Sequence, residues 1–333
     1  MQTHWPLSPW VEAHRQHIGF GLQVFPRGVS TDRIEQLLAL GQLAEGLGYD
    51  TFLIGDHPAR GPEPWLHLAA LATATQRIRL GSLVSCVLYR HPLMTARLLS
   101  DLDHLSAGRA ILGLGIGWDA NEFASLGIPF LPVPERQAAL EEALVIIRGA
   151  CGESHFTYQG RYFQTEQAQV SPPPLQSPFP PLLIAGGGER VTLRQVAQYA
   201  DACNLTSLDF AGGVRAPDDV RTKLAALHQH CNALGRPYDT ILRTHMTGWL
   251  ILAEDGDRLQ RKVQDYVPEG IERRFSGPWR GFAVANTLDG AISYYQALAD
   301  AGIQYFVIQM PNASDLETIR LFAEQVIPNL EVK

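Results

Sequence analysis

The chain has 333 residues, of which 46% are hydrophobic and 18% charged, a composition that excludes a disordered or fibrous protein. Its 27 basic and 34 acidic residues give a net charge of -7, so neither nucleic acid nor an anionic membrane surface is an expected partner. We find no signal sequence or membrane-spanning segment, which predicts a cytoplasmic protein. Cys86, Cys151, Cys203 and Cys231 lack zinc or C-x-x-C spacing, so we expect free thiols and no metal site.

Apolar runs of strand length alternate with amphipathic segments of helix length, which predicts successive parallel βα units. The eight predicted strands are Ile18–Phe25, Thr51–Gly55, Ile78–Val84, Ala110–Gly115, Leu182–Ala185, Ala202–Thr206, Arg243–Leu252 and Tyr305–Gln309. A helix is predicted after each strand, with Pro64 and Pro92 in the first turns of two helices and Gly48 at the end of the first. The last helix is predicted from Ser314 to Val326. Residues 151–181 and 268–283 break the alternation, and we expect them to be irregular insertions.

Eight strands with intervening helices predict a closed (β/α)8 TIM barrel, and the length fits a barrel enlarged by insertions. No linker divides the sequence, so one domain over residues 1–333 is expected. The alternative is an open doubly wound sheet in which Gly115-Ile-Gly117-Trp-Asp-Ala120 is the dinucleotide loop. Such a loop usually follows the first strand of a nucleotide-binding half. Here it follows the fourth strand, which favours the barrel.

The active site of such a barrel lies at the carboxyl ends of its strands, so the residues that follow each strand are candidates. Asp56 and His57 follow strand two, where an acid beside an imidazole can bind a cofactor ring or move a proton, or where the histidine can merely cap a helix. The segment Val84–Cys86 ends strand three and either admits a flat ring or forms a tight turn. Arg109 precedes strand four, so we expect it at the opposite rim in a stabilising role.

Glycines mark two further strand ends. Gly113 and Gly115 in strand four and Gly117 just after it either admit a ring or relieve crowding, while Trp118 either forms a pocket wall or packs as a core aromatic residue. The triplet Gly186–Gly188 lies between strand five and a helix. Free backbone N–H groups and the helix dipole there favour an anion, usually phosphate, and a simple turn is the alternative.

The motifs GYDTFLIGDH, LAALATATQRIRLGSLV, RHPLMTARLLSDLDHLSAGRAILGLGIGWDANEFASLGIPF and PPLLIAGGGERVTLRQVAQYADACN occur in this order. With them, the chain from Ile18 to Pro311 resembles the bacterial-luciferase-like superfamily of flavin-dependent oxidoreductases, particularly the branch that uses the deazaflavin coenzyme F420. The resemblance implies a (β/α)8 barrel, and a homodimer as a possibility.

The resemblance also implies roles for individual residues. Asp56 and His57 match the pair beside the isoalloxazine or deazaflavin ring and are the candidate catalytic residues. The candidate cofactor-binding residues are Val84, Ser85 and Cys86, in a segment that often contains a non-prolyl cis peptide; Gly115, Gly117 and Trp118, near the ring; and Gly186, Gly187 and Gly188, at the phosphate. Sugar-phosphate dehydrogenases of the superfamily have a catalytic Glu where this chain has Trp118, which disfavours such a substrate.

Three functions fit this sequence. The first is hydride transfer between reduced F420 and a small organic substrate, in which His57 orients the ring or donates a proton. The second is an FMN-dependent monooxygenase that uses reduced FMN and O2. The third is a non-catalytic flavin-binding barrel. The two insertions are expected to build the substrate pocket, and their aromatic residues, which suggest an apolar mouth, are Phe156, Tyr158, Tyr162, Phe163, Phe275 and Trp279. Arg273, Arg274 and Arg280 are either a solvated loop or contacts to the cofactor tail or substrate.

Overall fold

A computed structural model describes residues 5–24, 34–310 and 315–331. Its strands are β1 (Gly19–Val24), β2 (Thr51–Ile54), β3 (Arg79–Ser82), β4 (Ser85–Cys86), β5 (Ala110–Gly115), β6 (Phe156–Gln159), β7 (Gln164–Ala168), β8 (Leu182–Ala185), β9 (Ala202–Thr206), β10 (Leu242–Ala253), β11 (Ala283–Thr287) and β12 (Tyr305–Met310). Its α-helices are α1 (Pro9–Ala13), α2 (Ile34–Gly46), α3 (Pro64–Ala74), α4 (Pro92–Leu105), α5 (Ala120–Ser125), α6 (Val133–Gly152), α7 (Thr192–Tyr199), α8 (Pro217–Leu234), α9 (Gly256–Tyr266), α10 (Ile271–Arg274), α11 (Leu288–Asp300) and α12 (Leu316–Leu321).

The barrel strands are all parallel and follow the order β1-β2-β3-β5-β8-β9-β10-β12. The last strand pairs with the first, from Gly19 opposite Tyr305 to Val24 opposite Met310, so the sheet is closed. The predicted (β/α)8 barrel is thereby confirmed, and the open doubly wound sheet is wrong. Three positions named in the sequence analysis lie outside the described residues. They are Phe25, the last residue of the first predicted strand, Ser314, the first residue of the last predicted helix, and Pro311, where the resemblance ends.

Local sequence accounts for the helix boundaries near the site. Pro64 opens α3, where the Glu63 carboxylate accepts from the Trp65 N–H at 2.6 Å. Pro92 opens α4, capped by the His91 side chain. Gly48, with φ of 85°, follows α2 in the left-handed conformation that a helix end requires. No described helix is long and apolar enough to cross a membrane.

Apolar side chains fill the barrel from inside and cover it outside. The inner cluster includes Leu53, Leu83, Ile111, Leu183, Leu242, Met246, Tyr305 and Val307. Trp10 of α1 joins this cluster edge-to-face with Tyr305, at 5.4 Å between ring centroids, and so covers the amino-terminal end. The open end of the barrel is therefore the carboxyl end, where the candidate residues lie.

Both predicted insertions contain regular structure, so the expectation that they are irregular is wrong. The first carries the antiparallel hairpin β6–β7. The second contains α10 and leads directly into β11, which pairs in parallel with Trp249–Ala253 at the end of β10. The reason is that β10 has 12 residues and extends beyond the barrel, so the backbone groups of its outer half need a partner.

Arg109 lies at the amino-terminal rim, as predicted. Its guanidinium donates to the carbonyls of Ala72 (2.9 Å), Thr75 (3.0 Å), Ile78 (2.7 Å) and Ser106 (2.6 Å) and to the Thr75 hydroxyl (2.9 Å). These bonds satisfy carbonyls at the end of α3 and tie that helix to the start of β3. The role of Arg109 is structural.

We expect Arg109→Ala to lower the free energy of unfolding by about 2 kcal/mol, because several carbonyls lose a charged donor together. Urea denaturation followed by circular dichroism measures this change. The matched control is Arg221→Ala, which removes only an exposed ion pair with Asp218 and should cost less than about 0.5 kcal/mol. Equal losses in the two variants would contradict the role assigned to Arg109.

Candidate active site

The strand ends bring the candidate residues to one rim. Asp56 and His57 follow β2 after Gly55, and the two-residue strand β4 pairs with β5 so that Ser85 lies opposite Leu114 and Cys86 opposite Gly115. The segments after strands three and four of the sequence prediction are therefore direct neighbours in the barrel.

The Leu83–Val84 peptide bond is cis, in the segment for which the resemblance implies one. The Leu83 carbonyl accepts a hydrogen bond from the side-chain amide of Gln23, whose oxygen accepts from Gln309 at 2.8 Å. Both glutamines are buried, at 4% and 3% exposure. Because a carbonyl can only accept, it fixes the orientation of both amides. Nothing in the sequence indicated this pair, whose members are 286 residues apart.

Protein atoms already occupy the space beside the strand-four glycines. A Cβ on Gly113 would lie 2.1 Å from the Ser82 carbonyl oxygen, and one on Gly115 would lie 2.7 Å from a Val84 methyl group. Gly117 has φ of 73°, and a Cβ there would contact Phe123 and Cys86. Of the two interpretations given above, the structure supports relief of crowding. Any contact of Gly115 or Gly117 with a cofactor therefore stays a proposal.

Asp56 belongs to a buried ion-pair network. The Arg90 guanidinium donates to both carboxylate oxygens of Asp56, at 2.5 and 3.2 Å, and also bonds Glu63. The Asp56 side chain has no exposed surface. Burial raises the pKa of Asp56 above its ordinary value, and the opposing attraction of Arg90 does not reverse the shift. The arrangement suits Asp56 to a positioning role, held by Arg90.

His57 is oriented by a carboxylate that the sequence analysis did not single out. Glu122, on α5, accepts from His57 Nδ1 at 2.9 Å, from the Tyr89 hydroxyl at 2.7 Å and from the Ala59 N–H at 3.3 Å. Burial alone would raise the pKa of Glu122, but the hydrogen bonds from His57 and Tyr89 outweigh it, so the pKa lies below the ordinary value. Glu122 is therefore an anion that fixes the imidazole with its proton on Nδ1.

A sequence signal for Glu122 was available. Asp119 and Glu122 have the spacing of a capping box, which predicts the start of α5 and so places Glu122 on the first turn after strand four. Asp119 indeed caps this helix, accepting from the Asn121 N–H at 3.0 Å.

Trp118 is half-buried beside His57. The two rings meet edge-to-face with centroids 5.7 Å apart. The Arg60 guanidinium, which forms an ion pair with Asp119, lies 5.3 Å from the Trp118 ring. The ring centroids of Phe210 and Trp279 lie 5.0 and 5.1 Å from that of Trp118. Trp118 thus forms a wall over the imidazole.

The glycine triplet after β8 has fewer free N–H groups than the sequence suggested. Gly186 donates to the Asn204 carbonyl and Gly187 to the Ala211 carbonyl, both at 3.0 Å. The N–H of Gly188 makes no hydrogen bond within the described ranges, and Gly188 is exposed just before α7. Anion binding by backbone groups would therefore begin at Gly188.

A cavity of about 730 Å³ opens beside Gly188. It lies between α6 and the start of α7, and its lining residues are Val133, Pro134, Gln137, Ala138, Glu141, Gly188, Glu189, Arg190, Val191, Arg194 and Gln195. Arg194 pairs with Glu141 at 3.2 Å, whereas Arg190 is exposed and forms no ion pair with the described residues. The cavity adjoins the glycine triplet and does not include His57 or Trp118.

Most aromatic residues expected at the mouth lie elsewhere. Phe156 packs against Gly149 of α6, Phe163 packs on the outer core, and Phe275 is buried against Trp249. Tyr158 lies on the same hairpin as Phe156, and Tyr162 donates to Glu135. Of the six, Trp279 contacts Trp118. Arg273 and Arg280 are exposed, and Arg274 pairs with Glu269 at 3.1 Å.

Cysteine and metal chemistry find no support at this rim. All four cysteines are free, and burial raises the pKa of the Cys86 thiol to about 12, so it is protonated at neutral pH. Among residues 5–24, 34–310 and 315–331, no cluster of His, Cys, Asp and Glu is arranged to hold a metal ion.

Comparison with known proteins agrees with the fold. The F420-dependent glucose-6-phosphate dehydrogenase of Microbacterium testaceum is 27% identical over 327 residues, covering 89% of this chain and 93% of that protein. The F420-dependent hydroxymycolic acid dehydrogenase of Mycobacterium tuberculosis is 28% identical over 321 residues, covering 90% and 85%. The F420-dependent tetrahydromethanopterin reductase of Methanopyrus kandleri superposes with a TM-score of 0.77 at 21% identity, covering 94% and 99%.

The model of the luciferase-like monooxygenase family matches residues 16–302, which include every candidate residue of the rim. The chain therefore belongs to the luciferase-like monooxygenase family and is an oxidoreductase.

Proposed function

We propose that this protein transfers a hydride between coenzyme F420 and a small organic substrate at the carboxyl-terminal mouth of the barrel. Two relatives that match about nine-tenths of the chain are named F420-dependent dehydrogenases. The structural observation that carries the proposal is that Gly188, whose N–H makes no hydrogen bond within the described residues, is exposed and lines the 730 Å³ cavity after a strand end of the same rim as His57.

The donor set beside the cavity fits the phosphate of a flavin or deazaflavin. Gly188 offers a backbone N–H before α7, and Arg190 adds a cation that is not neutralised within the described chain. Lys223, whose Cε lies 3.5 Å from the position that a Cβ on Gly187 would occupy, is already paired with Glu189 at 2.7 Å and is not counted in this donor set. We assign the phosphate to Gly188 and Arg190, and the ring to the side of Val84, Ser85 and Trp118.

The residues of the chain would supply position and protons. F420, when bound, supplies the hydride chemistry. Glu122 accepts from His57 Nδ1 and so orients the imidazole, and in this position His57 would exchange a proton with the substrate oxygen. Asp56, fixed by Arg90, and the Leu83–Val84 segment, fixed by Gln23, keep the rim rigid.

The second candidate is a monooxygenase that uses reduced FMN and O2. The family description favours it, and so does the Trp118 ring, which covers one side of the His57 imidazole. The same phosphate site would serve FMN, so the choice between the two cofactors needs a direct comparison.

The test is calorimetric titration of the purified protein with F420 and with FMN, each oxidised and reduced. We expect tighter binding of F420, and a loss of about 10- to 100-fold in the Arg190→Glu variant, because a repelling charge replaces an attracting one. Arg161→Glu is the matched control, since it changes the net charge equally on the β6–β7 hairpin, where Arg161 is 73% exposed. Tighter binding of FMN would select the monooxygenase, and binding of neither cofactor would overturn both proposals.

A further inference from the structure

Three aromatic side chains form a collar over the mouth of the barrel. Trp118 follows β5, Phe210 lies in the turn Asp209–Ala211 after β9, and Trp279 lies in the turn Gly277–Trp279 between α10 and β11. Their ring centroids are 5.0 Å apart for Trp118 and Phe210, 5.1 Å for Trp118 and Trp279, and 5.6 Å for Phe210 and Trp279. Loops far apart in sequence thus meet at one apolar point.

The collar is exposed and yet held in place. Phe210 is 38% exposed and Trp279 is 36% exposed. The Gly281 carbonyl accepts from the Ser207 hydroxyl at 2.6 Å, and the Arg280 carbonyl accepts from the Asp209 N–H at 3.2 Å, so the loops that carry Trp279 and Phe210 are joined. Binding of an apolar ligand over fixed, water-exposed aromatic rings is favourable, because it removes their apolar surface from water.

The cations around the collar are already engaged. The neighbouring ion pairs are Arg60 with Asp119, Arg90 with Asp56, and Arg215 with Asp209. Arg136 is 5% exposed and donates to the Gly117 and Leu131 carbonyls. Arg280 is exposed, but its own N–H donates to the Gly277 carbonyl, so its charge is not joined by a backbone donor as the charge of Arg190 is beside Gly188. Neutralisation of a phosphorylated substrate by any of the other arginines would require an existing bond to break.

We propose that the collar selects a neutral substrate with a flat apolar face, which binds against Trp118 and Trp279 above His57. This inference rests on the proposed function for the direction of the chemistry, but the binding it describes does not require F420. It differs from what the name of the glucose-6-phosphate dehydrogenase relative suggests, since a sugar phosphate is an anion and its ring carries several hydroxyl groups.

A matched pair of probes separates charge from shape: 2-naphthol is neutral, and 2-naphthyl phosphate carries the same rings with an anion. Each is titrated calorimetrically into the full-length protein, with and without saturating oxidised F420. We expect 2-naphthol to bind at least about 10-fold more tightly than the phosphate ester. Trp279→Ala should weaken the binding of 2-naphthol by about 10-fold, while Trp279→Phe, which keeps an aromatic ring, should retain most of the affinity for 2-naphthol.

The controls address folding and the remaining cation. Leu66→Ala removes an apolar side chain that is 71% exposed on α3 and should leave the affinities for 2-naphthol and for 2-naphthyl phosphate unchanged. Arg280→Ala should leave the affinity for 2-naphthol unchanged. Equal or tighter binding of the phosphate ester, or an unchanged 2-naphthol affinity in Trp279→Ala, would overturn the inference. If F420 does not bind while the 2-naphthol results hold, the proposed cofactor fails and the collar stands as a site for neutral ligands.

Discussion

Replacing Arg90 with methionine is expected to lower the free energy of unfolding by about 3–5 kcal/mol at neutral pH. Arg90 donates to both oxygens of Asp56, whose side chain is fully buried, and also bonds Glu63. Methionine matches the length of the arginine stem but offers no donor. Asp56 would then be a buried charge without a counter-ion, which costs much more than losing a surface ion pair.

This loss should depend on pH in a defined direction. Burial already raises the pKa of Asp56 above 3.8, so the folded state binds its proton more tightly than the unfolded state, and stability from this group falls as pH rises through the folded pKa. Removing Arg90 raises that pKa further. The stability difference between wild type and Arg90→Met should therefore be largest at neutral pH and narrow as the solution is acidified.

Urea denaturation between pH 7 and pH 4, followed by circular dichroism, measures both effects. Arg15→Met is the matched control, because Arg15 forms only an exposed pair with Glu12 at 3.5 Å. The double variant Asp56→Asn/Arg90→Met should recover part of the loss, since it removes the buried charge as well. A loss that is independent of pH and is not relieved in the double variant would contradict this account of Arg90.

Replacing Glu122 with leucine is expected to lower the free energy of unfolding by about 3 kcal/mol or more, because His57, Tyr89 and the Ala59 N–H lose their acceptor at once. Glu122→Gln, which keeps one acceptor oxygen, should cost less. Here too the sign of the pH dependence follows from the pKa. The pKa of Glu122 is lowered from 4.5, so its contribution is present above that value and is lost as pH falls through the lower folded pKa.

The stability difference between wild type and Glu122→Leu should accordingly be constant near neutral pH and shrink below about pH 4.5. Thermal unfolding by calorimetry across this range is the measurement. Tyr89→Phe serves as the single-bond comparison, because it removes one donor and leaves the carboxylate with His57. If Glu122→Leu were no more destabilising than Tyr89→Phe, the carboxylate would not be the centre of this network.

The two networks show what limits prediction of a site from sequence. Asp56 and His57 were identifiable because they directly follow a predicted strand, and a closed barrel brings all strand ends to one rim. Their partners were not, because Arg90 is 34 residues from Asp56 and Glu122 is 65 residues from His57. Strand-end logic places Arg90 and Glu122 at the rim, but only the packing of neighbouring loops decides which acid meets which base.

The glycines show the complementary limit. The sequence located Gly113, Gly115 and the triplet at 186–188, but it left open whether they admit a ligand or relieve crowding. A glycine in the sequence indicates that a side chain would not fit at that position, but it does not indicate which atoms occupy the space. Val84 fills it at Gly115, while the Asn204 and Ala211 carbonyls use two of the three N–H groups of the triplet.

By itself, the sequence determined the parallel (β/α)8 barrel, the eight strands, the rim that carries the site and the stabilising rim where Arg109 lies. It did so because strand and helix periodicities are local, and because chain direction fixes which strand ends share a rim. The tertiary structure alone decided the pairing of His57 with Glu122, the amide pair under Leu83, the extra strand β11 and the aromatic collar. Each depends on side chains brought together by closure of the barrel, and no local pattern encodes those distances.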